Sequence, residues 1–215
     1  LDWDKPLSEQ SEKVKAALAS VPLQKYDKSV HKDPRAVDIY SWADSNPYGG
    51  DTDSKASAEA LLKAGIPGIR FLDGNSRGAG EGTYNYVIFD ENLVRILEEN
   101  GKPVGETFSL RASDAEYMAA VEAGDMEKAQ RMVDEAAVKG GYTTEGWHGS
   151  RSKERFATFD DYWSGSGADL NRNADLGSGF YFTPSRDDAL GYARYDEGKL
   201  YHVWMRLNQP ATEAD

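Results

Sequence analysis

The stretch from Ser113 to Lys139 has helical period throughout and no strand character, and it parts two segments that both carry strands. Ser113, with Glu116 three residues on, has the pattern of a capping box. Gly124 interrupts the run, Asp125 can cap a second helix, and Met126, Ala129, Val133 and Ala136 line one apolar stripe of it. The expectation is a helical hairpin that packs or spaces, without a catalytic or cofactor-holding group.

Before the hairpin, Val14, Ala17, Leu18 and Val21 recur at one helix face, as do Ala36, Ile39, Tyr40 and Ala43. A third helix is expected over Ser54 to Ala64, ending at Gly65. Ile69 to Leu72 and Tyr84 to Asp90 read as strands, with Asn85, Val87 and Phe89 on the face opposite Tyr84, Tyr86 and Ile88. Glycines at positions 74, 78, 80 and 82 predict a mobile loop between them. After the hairpin, strand character begins at Tyr142 to Trp147, gives way to a polar run from Ser164 to Gly179, and resumes at Phe180 to Thr183 and Leu200 to Leu207. The reading is α+β, with two separate half-sandwich units: residues 1–105, a spacer over 106–140, and residues 141–215.

Charge and composition narrow the chemistry. The 215 residues hold 37 acidic and 25 basic side chains, a formal charge of −12, which disfavours nucleic acid as a partner. The absence of cysteine excludes thiol nucleophiles, thiolate metal sites and disulfides. No apolar run reaches the roughly 18 residues of a membrane span, and the first residues lack a signal-peptide pattern, so a soluble, cytoplasmic protein is expected. A start at Leu1 and an end at Asp215 without a terminating pattern lead to the expectation of a fragment of a longer polypeptide.

Two clusters carry chemistry. In Trp147-His148-Gly149-Ser150, Gly149 permits close backbone approach, its amide and carbonyl can bond a carboxamide, His148 can bond a hydroxyl, and Ser150 offers a further donor or acceptor. Gly177-Ser178-Gly179-Phe180-Tyr181-Phe182-Thr183 leads into a helix capped by Ser185 and containing Ala189 through Tyr192-Ala193. Tyr181 and Tyr192 can flank a planar ring, each stacked contact contributing roughly 0.5–1.5 kcal/mol.

Together these clusters resemble the first two motifs of the His-Tyr-Glu ADP-ribosyltransferases, including the eleven-residue step between two tyrosines. The resemblance implies a split β-sandwich and NAD as substrate. It implies that His148 holds a ribose, Gly149 the nicotinamide amide, and that Tyr181 and Tyr192 sandwich the nicotinamide ring. The third motif, a catalytic Glu on a late strand, is matched before the hairpin by Gly65 to Ile69 and Tyr84 to Asp90. There Asn85 stands at the Glu position, and Glu81 is the nearest carboxylate able to substitute. A carboxylate stabilises the oxocarbenium-like sugar formed as nicotinamide leaves, and an amide does so poorly.

The motif order is inverted, third before first and second. The chain therefore reads either as a window across two tandem transferase domains or as one circularly permuted domain. Tandem domains with a helical spacer resemble those of phage and prophage polyvalent proteins, which implies delivery into a host cell with the particle and a host macromolecule as acceptor. A non-catalytic interaction module keeping the fold is the alternative reading. A nuclease toxin is disfavoured, because His31, His148 and His202 are the only histidines on an acidic background. Asp160-Asp161 reads as a cap or solvated turn, and no metal is expected.

Overall fold

Ser11 opens the first helix by accepting a hydrogen bond on Oγ from Val14 N at 3.3 Å. This computed structural model describes residues 1–23, 27, 29–43, 54–74, 76–103, 114–152, 156, 158–159, 178–193 and 198–207. Among the described residues, three α-helices precede the first strand: α1 (Glu12–Leu18), α2 (Ala36–Trp42) and α3 (Ser54–Lys63). Asp38 closes the start of α2 by accepting from Arg35 N at 3.1 Å. At the end of α3, Gly65 N donates to Leu62 O and Ile66 N to Leu61 O, consuming carbonyls that the helix leaves open.

Among the described residues, seven strands form two antiparallel sheets. Strands β1 (Gly68–Leu72), β2 (Tyr84–Ile88) and β6 (Phe180–Phe182) lie in the order β1-β2-β6. Strands β3 (Val94–Glu99), β4 (Lys102–Pro103), β5 (Thr144–Ser150) and β7 (Lys199–Met205) lie in the order β4-β3-β7-β5. The hairpin is α4 (Asp114–Glu122) and α5 (Met126–Lys139), with Asp125 capping Lys128 N at 3.0 Å. A last helix, α6 (Arg186–Ala193), begins with Asp188 N bonded to Ser185 Oγ at 3.2 Å.

Both sheets join strands from the two sides of the hairpin. In the smaller one Val87 lies opposite Tyr181, and in the larger one Ile96 lies opposite Val203. The two separate half-sandwich units expected from sequence, residues 1–105 and 141–215, are thus a single folded unit. The cause is edge chemistry: β2 and β6, like β3 and β7, satisfy each other's backbone groups, which neither segment could do for itself.

Alternation along the strands builds the layers. Ile69 and Val87 face α1, α2 and α3 through Leu18, Ile39, Tyr40 and Leu61. Ile88, Phe180 and Phe182 face the second sheet, meeting Val94, Ile96, Tyr201, Val203 and Met205. On the outer face of that second sheet, Leu97 and Trp204 pack under Ala137 of α5 and Tyr142, while Leu200 and Trp147 pack under Ala189 and Ala193 of α6. The hairpin is therefore seated on the sheet by α5. The strands over 94–99 and 102–103 are the two that the sequence reading did not foresee.

Loop 73–83 is closed by its own side chains. Thr83 N donates to Ser76 Oγ at 3.0 Å, Ser76 N to Asp73 Oδ1 at 2.7 Å, and Thr83 Oγ1 to Asp73 Oδ2. No helix among the described residues is long and apolar enough to cross a membrane.

Candidate functional site

Among the described residues, one isolated backbone bridge joins the two sheets. Trp147 of β5 and Thr183, just past β6, form an isolated antiparallel bridge, Trp147 N to Thr183 O at 2.7 Å and Thr183 N to Trp147 O at 3.0 Å. Had the ladder continued, the next bonded pair would be Gly149 with Tyr181. It does not continue. The Tyr181 carbonyl lies 2.9 Å from His148 Nδ1, and the strands part there.

A carbonyl only accepts, so Nδ1 of His148 carries the proton and Nε2 of the neutral ring is an acceptor. The ring lies among Phe159, Phe182, Tyr201 and Phe156, with centroids 5.1, 5.7, 6.3 and 6.4 Å away. Burial lowers the His148 pKa below its ordinary 6.5, and the hydrogen bond to Tyr181 O opposes that only in part. Phe156 and Phe159 had no distinguishing pattern in the sequence; their role in enclosing this ring emerges only from the fold.

Gly149 is the point of closest approach. A Cβ there would lie 1.9 Å from Ala189 O and 3.0 Å from Tyr192 Cβ, so only glycine lets β5 run against α6. Its strand partner Leu200 directs both backbone groups at Asn100, accepting from Asn100 N at 2.8 Å and donating to Asn100 Oδ1 at 2.9 Å. By the alternation of an antiparallel ladder, Gly149 N–H and C=O point the other way, into the gap that β6 leaves. Neither has a partner among the described residues. The strand read from the sequence ends at Trp147, whereas His148, Gly149 and Ser150 also lie in β5. Ser150 Oγ accepts from Ser152 N at 3.1 Å, which uses one of its acceptor positions.

Tyr181 and Tyr192 occupy different surroundings. Tyr181 leaves β6 on the face opposite Phe180 and Phe182, so its ring packs partly against the α1–α3 core rather than beside His148. Tyr192, on α6, is 63% exposed. No ring contact joins Tyr181 and Tyr192 in the structure. What places β6 is a neighbour from far along the chain: Ser178 N donates to Tyr40 Oη of α2 at 3.2 Å. Gly179 then adopts φ +150°, where a Cβ would lie 2.7 Å from Ile88 O.

The third-motif candidates separate clearly. Glu81 is exposed in loop 73–83 and makes no hydrogen bond or ion pair among the described residues. Asn85 lies on β2 one residue beyond its last pair with β6, Tyr86 with Phe182, and on the same face as Val87, the partner of Tyr181. It is half-buried, and its Oδ1 is a buried acceptor with no donor. The pattern thus brings His148, Tyr181 and Asn85 onto three successive strands, β5, β6 and β2, and leaves Glu81 outside. Asp160 and Asp161 lie outside the described residues, and no group of three acidic or histidine side chains that could hold a metal occurs among the described ones.

Among the described residues, a cavity of about 160 Å³ lies beside α3, Phe89 and Gly179, and one of about 360 Å³ lies between α1, β1 and Tyr86. Neither is lined by His148, Gly149 or Tyr192. No protein-family model, curated protein or solved structure matches the chain.

Proposed function

We propose that the chain is an NAD-dependent ADP-ribosyltransferase domain of circularly permuted order, with its nicotinamide slot where β6 parts from β5. The observation that carries this is the free backbone edge of Gly149. One N–H and one C=O on the same residue match the acceptor and donor of a primary carboxamide, the group that nicotinamide presents. Around that edge stand an exposed aromatic, Tyr192, for the ring face, and the acceptor Nε2 of His148 for a ribose hydroxyl. Asn85 lies on β2 one step past the β2–β6 ladder, on the Tyr181 face, and its Oδ1 is a buried acceptor without a donor. The acceptor of ADP-ribose is a host macromolecule, and the setting a phage-delivered polyprotein acting in the host cytoplasm. His148, Gly149 and Tyr192 bind, Tyr181 frames the slot through its backbone, and Asn85 occupies the place of the catalytic carboxylate.

The amide at Asn85 favours a second reading, an NAD-binding module of the same fold without transfer. A labelled-NAD assay on purified protein with host-cell lysate, run beside an NAD titration, tests both. Saturable NAD binding that Tyr192→Ala weakens supports the slot, and absence of any NAD binding refutes it. Labelling of lysate proteins selects transferase over binding module.

A further inference from the structure

We infer that the outer face of the four-stranded sheet carries a binding site for a doubly charged phosphate-type oxyanion, built on Arg95 of β3 and Arg206 just past β7. The guanidinium carbons of Arg95 and Arg206 lie 5.7 and 5.5 Å from the centroid of one ring, that of Tyr142. Tyr142 is buried, and its hydroxyl donates to Asn92 O at 3.3 Å, so the ring is a fixed surface over which both cations are held. Trp204, the partner of Arg95 in the ladder and two residues before Arg206, shares their face.

In a chain of net charge −12, these two arginines have no carboxylate. Glu145, which shares the cross-strand row through Trp204, instead reaches His202 at 3.3 Å. Arg95 spends one terminal nitrogen on Val94 O at 3.2 Å, and Arg206 makes no side-chain hydrogen bond. Beneath them, Arg206 Nε and Trp204 Nε1 are buried donors without an acceptor. The buried side-chain groups left unpaired at this point are both donors, and neither guanidinium has a carboxylate partner among the described residues. A buried donor left without an acceptor is destabilising, and guanidinium groups bond phosphate oxygens through parallel N–H groups.

The ligand meets the partly exposed terminal nitrogens of the two arginines, while the buried donors raise the positive potential behind them. Two cations with no intervening acid suit a dianion better than a single carboxylate. The site lies across the sheet from His148, whose ring faces the inter-sheet core, so it does not depend on the proposed NAD slot.

The test titrates inorganic phosphate into the intact protein at constant ionic strength, read by amide and arginine side-chain nuclear magnetic resonance shifts, with acetate in a parallel arm. Saturable shifts at Arg95, Tyr142, Trp204 and Arg206 are expected, with acetate weaker. Arg95→Gln and Arg206→Gln should each weaken phosphate by about tenfold or more, the scale of a charged hydrogen bond. Arg206→Lys keeps the charge and stem, so it guards against a folding artefact and should retain more binding than Arg206→Gln. Arg35→Gln, on an exposed side chain, is the control. Unchanged phosphate binding in the Arg95→Gln, Arg206→Gln double variant, no saturable shift in the wild type, or acetate binding as tightly as phosphate would each overturn the assignment.

Discussion

His148 Nδ1 takes the Tyr181 carbonyl, at 2.9 Å, in the place where the Gly149 amide would sit in a continued ladder. One side chain thereby ends the pairing of β5 with β6 and frees the glycine edge. The bond needs a proton on Nδ1, which the neutral tautomer and the cation both carry; burial among aromatic rings, not the bond, favours the neutral ring and links the site to pH.

Because burial holds the folded-state pKa of His148 below 6.5, the unfolded chain binds the proton first as pH falls. The stability that neutral His148 contributes is complete above about pH 6.5 and declines as pH drops toward the folded-state value. One group can account for at most about a tenfold change in the folding constant per pH unit. Urea unfolding at a series of pH values from 8 to 5 should show a steeper loss in wild type than in His148→Gln, which cannot titrate. Equal slopes would mean that His148 is not held neutral.

Tyr192 tests the slot without disturbing the core, since its ring is 63% exposed. Tyr192→Ala should leave the thermal midpoint within a degree or so of wild type and weaken NAD by about 2- to 13-fold, the equivalent of one stacked contact. Calorimetric titration with NAD and with nicotinamide measures it. An unchanged affinity for both would remove Tyr192 from the site.

Gly149→Ala should cost about 1–3 kcal/mol, because its methyl would lie 1.9 Å from the Ala189 carbonyl and α6 would have to move off β5. Gly191 is the control on the same helix, because a Cβ there meets nothing within 4 Å. Chemical denaturation of the two variants should separate them clearly, with Gly191→Ala at or above wild-type stability.

The helices and five of the seven strands were legible because their signals are local. Ser11, Asp125 and Ser185 cap the helices they open, and the alternation of Tyr84 to Phe89 sorts correctly between the two cores. The partnership of strands was not legible. Nothing within residues 1–105 states that β2 needs β6, 92 residues on from Ile88 to Phe180, because pairing is decided by backbone edges that carry no side-chain signature. Val94 to Glu99 escaped for a related reason: its inner face, Val94 and Ile96, and its outer face, Leu97, are both apolar, and a bulge between Ile96 and Glu98 breaks the alternation. At the candidate site, residue types were readable, but the free edge of Gly149 and the buried, unpaired Asn85 oxygen depend on where β6 diverges.

In the proposed transferase, Asn85 is the residue on which transfer turns. It projects from β2 on the Tyr181 side, one step past the end of the β2–β6 ladder, and its Oδ1 has no donor. A neutral amide there leaves developing positive charge on the ribose uncompensated, and loss of one well-placed electrostatic group typically lowers rate by about 100- to 1,000-fold. Wild type should therefore bind NAD yet label acceptors slowly. Asn85→Glu should raise labelling toward that factor while leaving NAD affinity within a few-fold, since the carboxylate acts on the transition state more than on bound NAD. Glu81→Gln should change neither, because Glu81 is exposed and touches none of the site residues. Rates from a labelled-NAD time course, set against calorimetric affinities for the same variants, check all three. Robust wild-type labelling that Glu81→Gln abolishes would move the catalytic role to the loop, and unchanged labelling in Asn85→Glu would separate β2 from the chemistry.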